Sequence, residues 1–405
     1  MKLSKKQLDI KSAIEKEWII TNGIGGYASS TVIGANTRRY HGLLIAPLKA
    51  PAQRHLILSK LDESICINDE KFDLYTNICK NYISEGYKNQ GSFSKEIIPE
   101  FVYKVNNVKI VKKICMVYGK NTVVVNYSVK NDNNQNIKMT IAPIMNCRDF
   151  HHMTSNHNFE VKQEITDKIK IEIDNNIPIY MKCTEGEYIE HCNDTFKNMY
   201  YLKEEERGFF PEEDLCVPGR FEIEILAKKK KDITIVVSLE DIQDIDAKIV
   251  FANEIERMES IIKQTKLVSS KKQVTKAEKE KSEFLRDLII TTDSFVIFRP
   301  EFDLHSILAG FPWFLDWGRD TCISFEGLLL ITKRYDIARE VLKTLTHDIK
   351  CGLVPNGYSE TDGKPLYNSA DSSLLLFEQV NKFMKYTRDY EFVKENLYEK
   401  LKEIK

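Results

Sequence analysis

The stretch Ala309–Thr332, AGFPWFLDWGRDTCISFEGLLLIT, decides how this chain is read. Residues 313–320 hold two of the three tryptophans (Trp313, Trp317), two acids (Asp316, Asp320) and Arg319, and the chain then runs into an apolar segment of helical character. An Asp near a helix start is favoured by the free amides and the dipole, and Trp or Phe alone would be core. Packing has no need of fixed charges. Aromatic and ionic side chains together on a loop that opens a buried helix therefore point to a ligand site of the kind that holds a sugar.

Downstream, the spacing predicts one helix over Asp320–Lys333 and a second over Asp336–Lys350, with Ile337, Val341, Leu342, Leu345 and Ile349 on one face. A long loop, CGLVPNGYSETDGKPLYNSAD, then ends in Asn368 and Asp371 at the start of a third helix, whose stripe includes Leu376, Val380, Phe383 and Met384. A fourth runs from Tyr390 to the end. Helix hairpins in series with alternate long polar connections are the pattern of an α/α toroid, whose long loops line a pocket at one end. Upstream lie an amphipathic helix over Asp244–Lys266, an exposed linker over Ser269–Lys281, and a helix from Phe284 to about Phe298 that Pro300 stops.

The first 240 residues have a different texture. Glu17–Leu44, EWIITNGIGGYASSTVIGANTRRYHGLL, is too rich in glycine for a helix and reads as short strands joined by tight turns. Its NGIGGYA lacks the GxGxxG spacing of a dinucleotide loop, and no amphipathic helix follows. From Leu56 to about Leu239 strand follows strand, with a hairpin signal at Phe101–Val105, Asn106, Asn107 and Val108–Val117. Many short strands at hairpin spacing mean a large β-sandwich. Arg148–Met153 and Glu206–Glu222 are expected as polar, aromatic loops within it.

Bulk composition excludes several classes. With 59 basic and 60 acidic residues, nothing requests a nucleic acid or an anionic membrane. Nine scattered cysteines contain no CxxC pair, no HExxH motif accompanies the histidines, and no apolar run is long enough for a membrane span. Reduced thiols, no metal and a cytoplasmic location are the resulting expectations.

EWIITNGIGGYASSTVIGANTRRYHGLL, GFPWFLDWGRDTCISFEGLLL, GLVPNG and YNSADSSLL, in this order, resemble the prokaryotic glycogen debranching enzymes of the amylo-α-1,6-glucosidase type. The resemblance spans essentially the whole chain. It implies a multidomain β-then-α fold: a large N-terminal β-sandwich (1–240), a helical linker (241–283) and the first part of a glucoamylase-like (α/α)6 toroid (284–405). It also implies hydrolysis of α-1,6-linked glucose at branch stubs of glycogen or an α-glucan oligosaccharide, without a cofactor. By that analogy Asp320 and Arg319 hold the terminal glucose, Asn368 and Asp371 form a second pocket-lining pair, and Trp317 is the stacking platform.

An inverting glycosidase needs one carboxylic acid and one carboxylate roughly 6.5–9.5 Å apart. In the family the proton donor lies in a later TWMD-type motif and the base later still, and neither motif occurs in these 405 residues. The chain is thus expected to be a truncated form, a split gene product or an excised piece, with the donor and base beyond Lys405 and the rest of the toroid as a partner. Rival readings are another sandwich-plus-toroid glucosidase, a disaccharide phosphorylase that uses phosphate as its nucleophile, and a non-catalytic carbohydrate-binding module. Arg38, Arg39, Tyr40 and His41 are read as anchors between sandwich and toroid rather than sugar ligands.

Overall fold

The computed structural model describes residues 1–242, 245–268, 275–360 and 363–404. They form two compact units: Met1–Asn22, Gly26–Ala46 and Arg54–Glu254 in one, and Gly23–Gly25, Pro47–Gln53 and Ile255–Lys405 in the other.

The first unit is an antiparallel β-sandwich with sheets of nine and ten strands among the described residues. Thr122–Asn131 sits mid-sheet between Val108–Met116 and Lys230–Ser238, and Ile137–Asp149 sits between Ala52–Ile67 and Glu212–Ile225. The two-residue period carries the packing: Val123, Val125, Tyr127 and Val129 point into one core with Ile65, Met139, Ile141 and Ile223. Val124 and Val236 face the other way, where Ile242 and Ala247 cover them. That second covered face explains why this strand reads as a continuous apolar run. The expected hairpin is present, with Asn106 and Asn107 at φ +39° and +62°, as a tight primed turn requires.

Two short helices, α1 (Ile10–Ala13) and α2 (Leu202–Glu206), decorate the sandwich. One sequence expectation fails there. Most of the Glu206–Glu222 loop is strand, Glu212–Ile225, because its polar residues are paired inside: Glu213 accepts from Arg148 Nη2 at 2.9 Å and Tyr201 Oη at 2.5 Å.

Helix α3 (Ala247–Thr265) contributes its first residues to the sandwich unit and the remainder to the second. Asp244, its expected start, lies outside the described residues, as does the linker from 269 to 274. Helix α4 (Lys276–Ser294) begins inside the expected linker, on a capping box of Thr275 and Glu278. It also ends earlier than expected. Val296–Arg299 is a strand that pairs with Leu304–Ile307, because the β-branched and aromatic run Val296, Ile297, Phe298 precedes a turn at Pro300–Asp303.

The remaining elements are α5 (Gly318–Phe325), which continues as a π-turn over Glu326–Leu330, then α6 (Tyr335–His347), α7 (Asp371–Thr387), α8 (Tyr390–Asn396) and α9 (Tyr398–Glu403). The single helix expected from Tyr390 is broken at Leu397. A second core joins Cys322, Phe325 and Leu329 to Val341, Leu342 and Leu345 of α6 and Leu376, Val380 and Phe383 of α7. Each such side chain contributes roughly 1.5–3 kcal/mol on burial. Helix hairpins after a sandwich are consistent with the opening of an (α/α)6 toroid. On the outward faces Ile323, Ile331, Leu374 and Phe377 stay exposed. No helix of the described residues is long and apolar enough to cross a membrane.

Candidate functional site

The Asp316–Asp320 turn is built from the inside out. Asp316 is only 4% exposed, and both its carboxylate oxygens accept from Nη1 of Arg299, at 2.8 and 2.7 Å. Trp317 follows as the residue before α5 and is 43% exposed, with its carbonyl accepting the Thr321 amide at 2.8 Å. The next two amides reach the GLVPNG loop: Gly318 N–H donates to the Asn356 carbonyl at 2.8 Å, and Arg319 N–H to Asn356 Oδ1 at 3.3 Å. Here glycine is required by space, because a Cβ at 318 would stand 2.5 Å from the Pro355 carbonyl oxygen.

Asn356 Oδ1 also accepts the Ser372 hydroxyl at 3.3 Å, so one side chain ties the start of α5 to the start of α7. Across that junction Arg319 Nε lies 3.2 Å from Asp371 Oδ2. The Ser369 hydroxyl donates to Asp371, and this bond, followed by the Arg319 charge, holds the carboxyl below its ordinary range against the opposing effect of desolvation. Asp320 occupies the first turn of α5, half-buried. It caps nothing: no side-chain cap bond closes this helix, and among the described residues no protein group pairs with its carboxylate.

Of the residues picked from sequence, Trp317, Arg319, Asp320 and Asp371 thus share one junction of two helix starts. Asn368 is exposed on the approach to α7, with no side-chain bond to the other four. Two residues were missed. Asn356 lay within the quoted GLVPNG and was recoverable from it. Arg299 had no local signal, because its partner is 17 positions away.

Arg38, Arg39, Tyr40 and His41 have ion-pair and hydrogen-bond partners inside the sandwich unit. Arg38 meets Glu17 at 2.7 Å, Arg39 Nη2 meets buried Glu204 at 2.8 Å, and Tyr40 meets His151 Nδ1 at 3.1 Å. Burial raises the Glu17 carboxyl, but the hydrogen bonds and charges of His41 and Arg38 win and hold it at about 2.

A sandwich unit and a helical unit with an aromatic and ionic turn at its helix starts are consistent with a β-sandwich followed by part of a toroid. Comparison narrows it. The family described as "Glycogen debranching enzyme N terminal" matches residues 16–232, and "Amylo-alpha-1,6-glucosidase" matches residues 290–405. The chain belongs to the glycogen debranching enzyme family. The glycogen debranching enzyme of Saccharomyces cerevisiae is 32% identical over 97 residues, which cover 23% of this chain and 6% of that protein. Among solved structures, a bacterial glucoamylase complexed with acarbose is 11% identical with a TM-score of 0.49, covering 96% of this chain and 56% of its own. A proposed kojibiose phosphorylase from the human microbiome is also 11% identical, with a TM-score of 0.42, 96% of this chain and 52% of its own covered. The match thus takes in little more than half of these structures and a small part of the yeast protein.

Proposed function

We propose that this chain supplies the sugar grip of a glycoside hydrolase that removes α-1,6-linked glucose from branch stubs of glycogen or a related α-glucan. The observation that carries the reading is the unpartnered Asp320 carboxylate beside an exposed indole and the Arg319–Asp371 pair. An indole face stacks on the apolar face of a glucose ring, and carboxylates and a guanidinium take its hydroxyls through charge-assisted hydrogen bonds. In this reading Trp317 is the platform, Asp320 and Arg319 hold the terminal glucose, and Asp371 orients Arg319 while offering its own oxygens. Asn368 takes an outer hydroxyl. The bond is cleaved with inversion by a proton donor and a base that these five residues do not supply. No cofactor enters this chemistry. Arg38, Arg39, Tyr40 and His41 take no part in it.

The test is co-sedimentation with glycogen, together with isomaltotriose binding followed by tryptophan fluorescence, for the wild-type chain and the Asp320→Asn and Trp317→Ala variants. Both variants are expected to lose at least tenfold in affinity, Asp320→Asn because a charged contact contributes about 1.5–3 kcal/mol and Trp317→Ala because the stacking indole loses a comparable amount of apolar burial. Full binding by both would remove the site. The 405-residue chain alone is expected to release no glucose from a limit dextrin, with or without phosphate. Glucose release, or glucose 1-phosphate formed only with phosphate, would overturn the grip-only role and name the reaction.

A further inference from the structure

We propose that Arg299 is the positioning residue of this junction: through Asp316 it fixes the turn that presents Trp317, Arg319 and Asp320. The geometry of the anchor is independent of ligand, and only its consequence for binding rests on the sugar-grip reading. Arg299 ends the strand Val296–Arg299 and is 4% exposed. Its Nη1 holds both oxygens of Asp316, the residue immediately before Trp317. Its guanidinium also packs against two mutually touching aromatic rings, 4.7 Å from the Phe302 centroid and 4.4 Å from that of Tyr358. Tyr358 is two residues beyond Asn356, the acceptor of the Gly318 and Arg319 amides, and its hydroxyl is secured by Asp348 Oδ2 at 3.1 Å. One planar cation therefore ties together a hairpin, the WGRD turn and the loop on which that turn rests.

Stability alone is a poor account of this pair. Both partners are buried, and a buried ion pair is often no more stabilising than apolar side chains of similar volume, because desolvation offsets the attraction. Arg299 Nε is moreover buried without a hydrogen-bond partner among the described residues. What the pair supplies, and apolar side chains cannot, is a fixed direction: two oxygens on one nitrogen, with the guanidinium packed on the Phe302 and Tyr358 rings.

The experiment compares the wild-type chain with Arg299→Lys and with the double variant Arg299→Met, Asp316→Leu. Three readouts are taken: the denaturation midpoint, hydrogen exchange of the Gly318 and Arg319 amides against those of α6, and isomaltotriose affinity. The double variant is expected to unfold near the wild-type midpoint, with the 318 and 319 amides exchanging at least tenfold faster, α6 unchanged, and affinity down at least tenfold. Should the double variant fail to fold, Arg299→Lys, which keeps the charge but loses the planar stack, reads the same exchange. Unchanged protection at 318 and 319 in a folded variant overturns the proposal. If protection falls but the wild-type chain itself never binds isomaltotriose, the positioning role stands and the sugar reading fails. If wild type binds and every variant binds equally with protection intact, the reverse holds.

Discussion

Replacing Gly318 by alanine tests the claim that the WGRD turn and the GLVPNG loop are in backbone contact. The new methyl would sit 2.5 Å from the Pro355 oxygen, with Asn356 Cα and the Pro355 carbonyl carbon at 3.5 Å. Its obstacle is main chain, so no side chain can swing aside, and the loops must part by about half an ångström before the contact is tolerable. Overpacking of this kind costs about 1–3 kcal/mol. Stretching the 2.8 Å bond from Gly318 N–H to the Asn356 carbonyl adds about 0.5–1.5 kcal/mol. Alanine's better helix propensity returns up to about 1 kcal/mol, less at a first helical position. The net is a loss of about 0.5–4.5 kcal/mol. The control is Gly327→Ala in the π-turn, where a Cβ meets nothing within 4 Å and the only change is reduced freedom of the unfolded chain, worth about 0.4–1 kcal/mol of added stability. Urea unfolding followed by tryptophan fluorescence reports on this unit through Trp313 and Trp317. The midpoint should fall for Gly318→Ala and rise for Gly327→Ala. An unchanged or raised midpoint for Gly318→Ala, or the same sign for both, refutes the contact argument.

Further outcomes follow from the same junction and its supports. Asp293 is buried and accepts from Arg257 at 2.7 Å while pairing with Arg334 at 3.0 Å; Asp293→Asn leaves two cations short of their anion and should cost about 3–5 kcal/mol by urea unfolding. The two acids of the motif should separate: Asp316→Asn, which strips the buried Arg299 of its nearer counter-charge and leaves it only Glu301 at 3.5 Å, lowers stability by about 3 kcal/mol, whereas Asp320→Asn, with no partner to lose, stays within about 0.5 kcal/mol of wild type and shows its effect in glucan binding. The depressed Asp371 pKa fixes a pH window. A carboxyl lowered in the folded state contributes fully above its unfolded pKa of about 3.9 and loses that contribution as pH falls through the lower folded value. Isomaltotriose affinity should therefore be insensitive to Asp371 protonation from neutral pH down to about 5, and a carboxyl titration followed by NMR should place Asp371 below an ordinary Asp. Cys322 is buried behind the junction, where burial and then the Asp371 charge push its thiol up to about 12, so a thiol reagent should label exposed Cys351 before Cys322.

Much of the fold was legible because its signals are local. Period-two runs such as Thr122–Asn131 and the Asn106–Asn107 turn are short-range facts, and so is the stripe of Val341, Leu342 and Leu345 on α6. Failures came where a residue's environment is supplied by distant chain. Glu213 looks like a loop acid until Arg148, from another strand, neutralises it. Val296–Phe298 reads locally as a helix end, and its pairing with Leu304–Ile307 makes it a strand. Arg38–His41 gave no local sign of their partners: Arg39 is paired with a buried glutamate 165 positions away.

The candidate site shows the same limit in miniature. Asp316 and Asp320 flank Trp317 and Arg319 almost symmetrically in sequence, and nothing in spacing or composition ranks one above the other. Their fates diverge because the helix starts between them. Trp317 is still extended, and just before it the Asp316 side chain is turned inward onto Arg299. By Asp320 the chain has made three helical residues, and the carboxylate emerges beside the amides of the first turn, where a negative group is favoured without any counter-charge from the protein. One acid is consumed in holding the turn and the other is left free to hold something else. The partner that makes this assignment, Arg299, belongs to a strand that the local sequence describes as a helix end, so the division of labour could be read only once that strand had been placed.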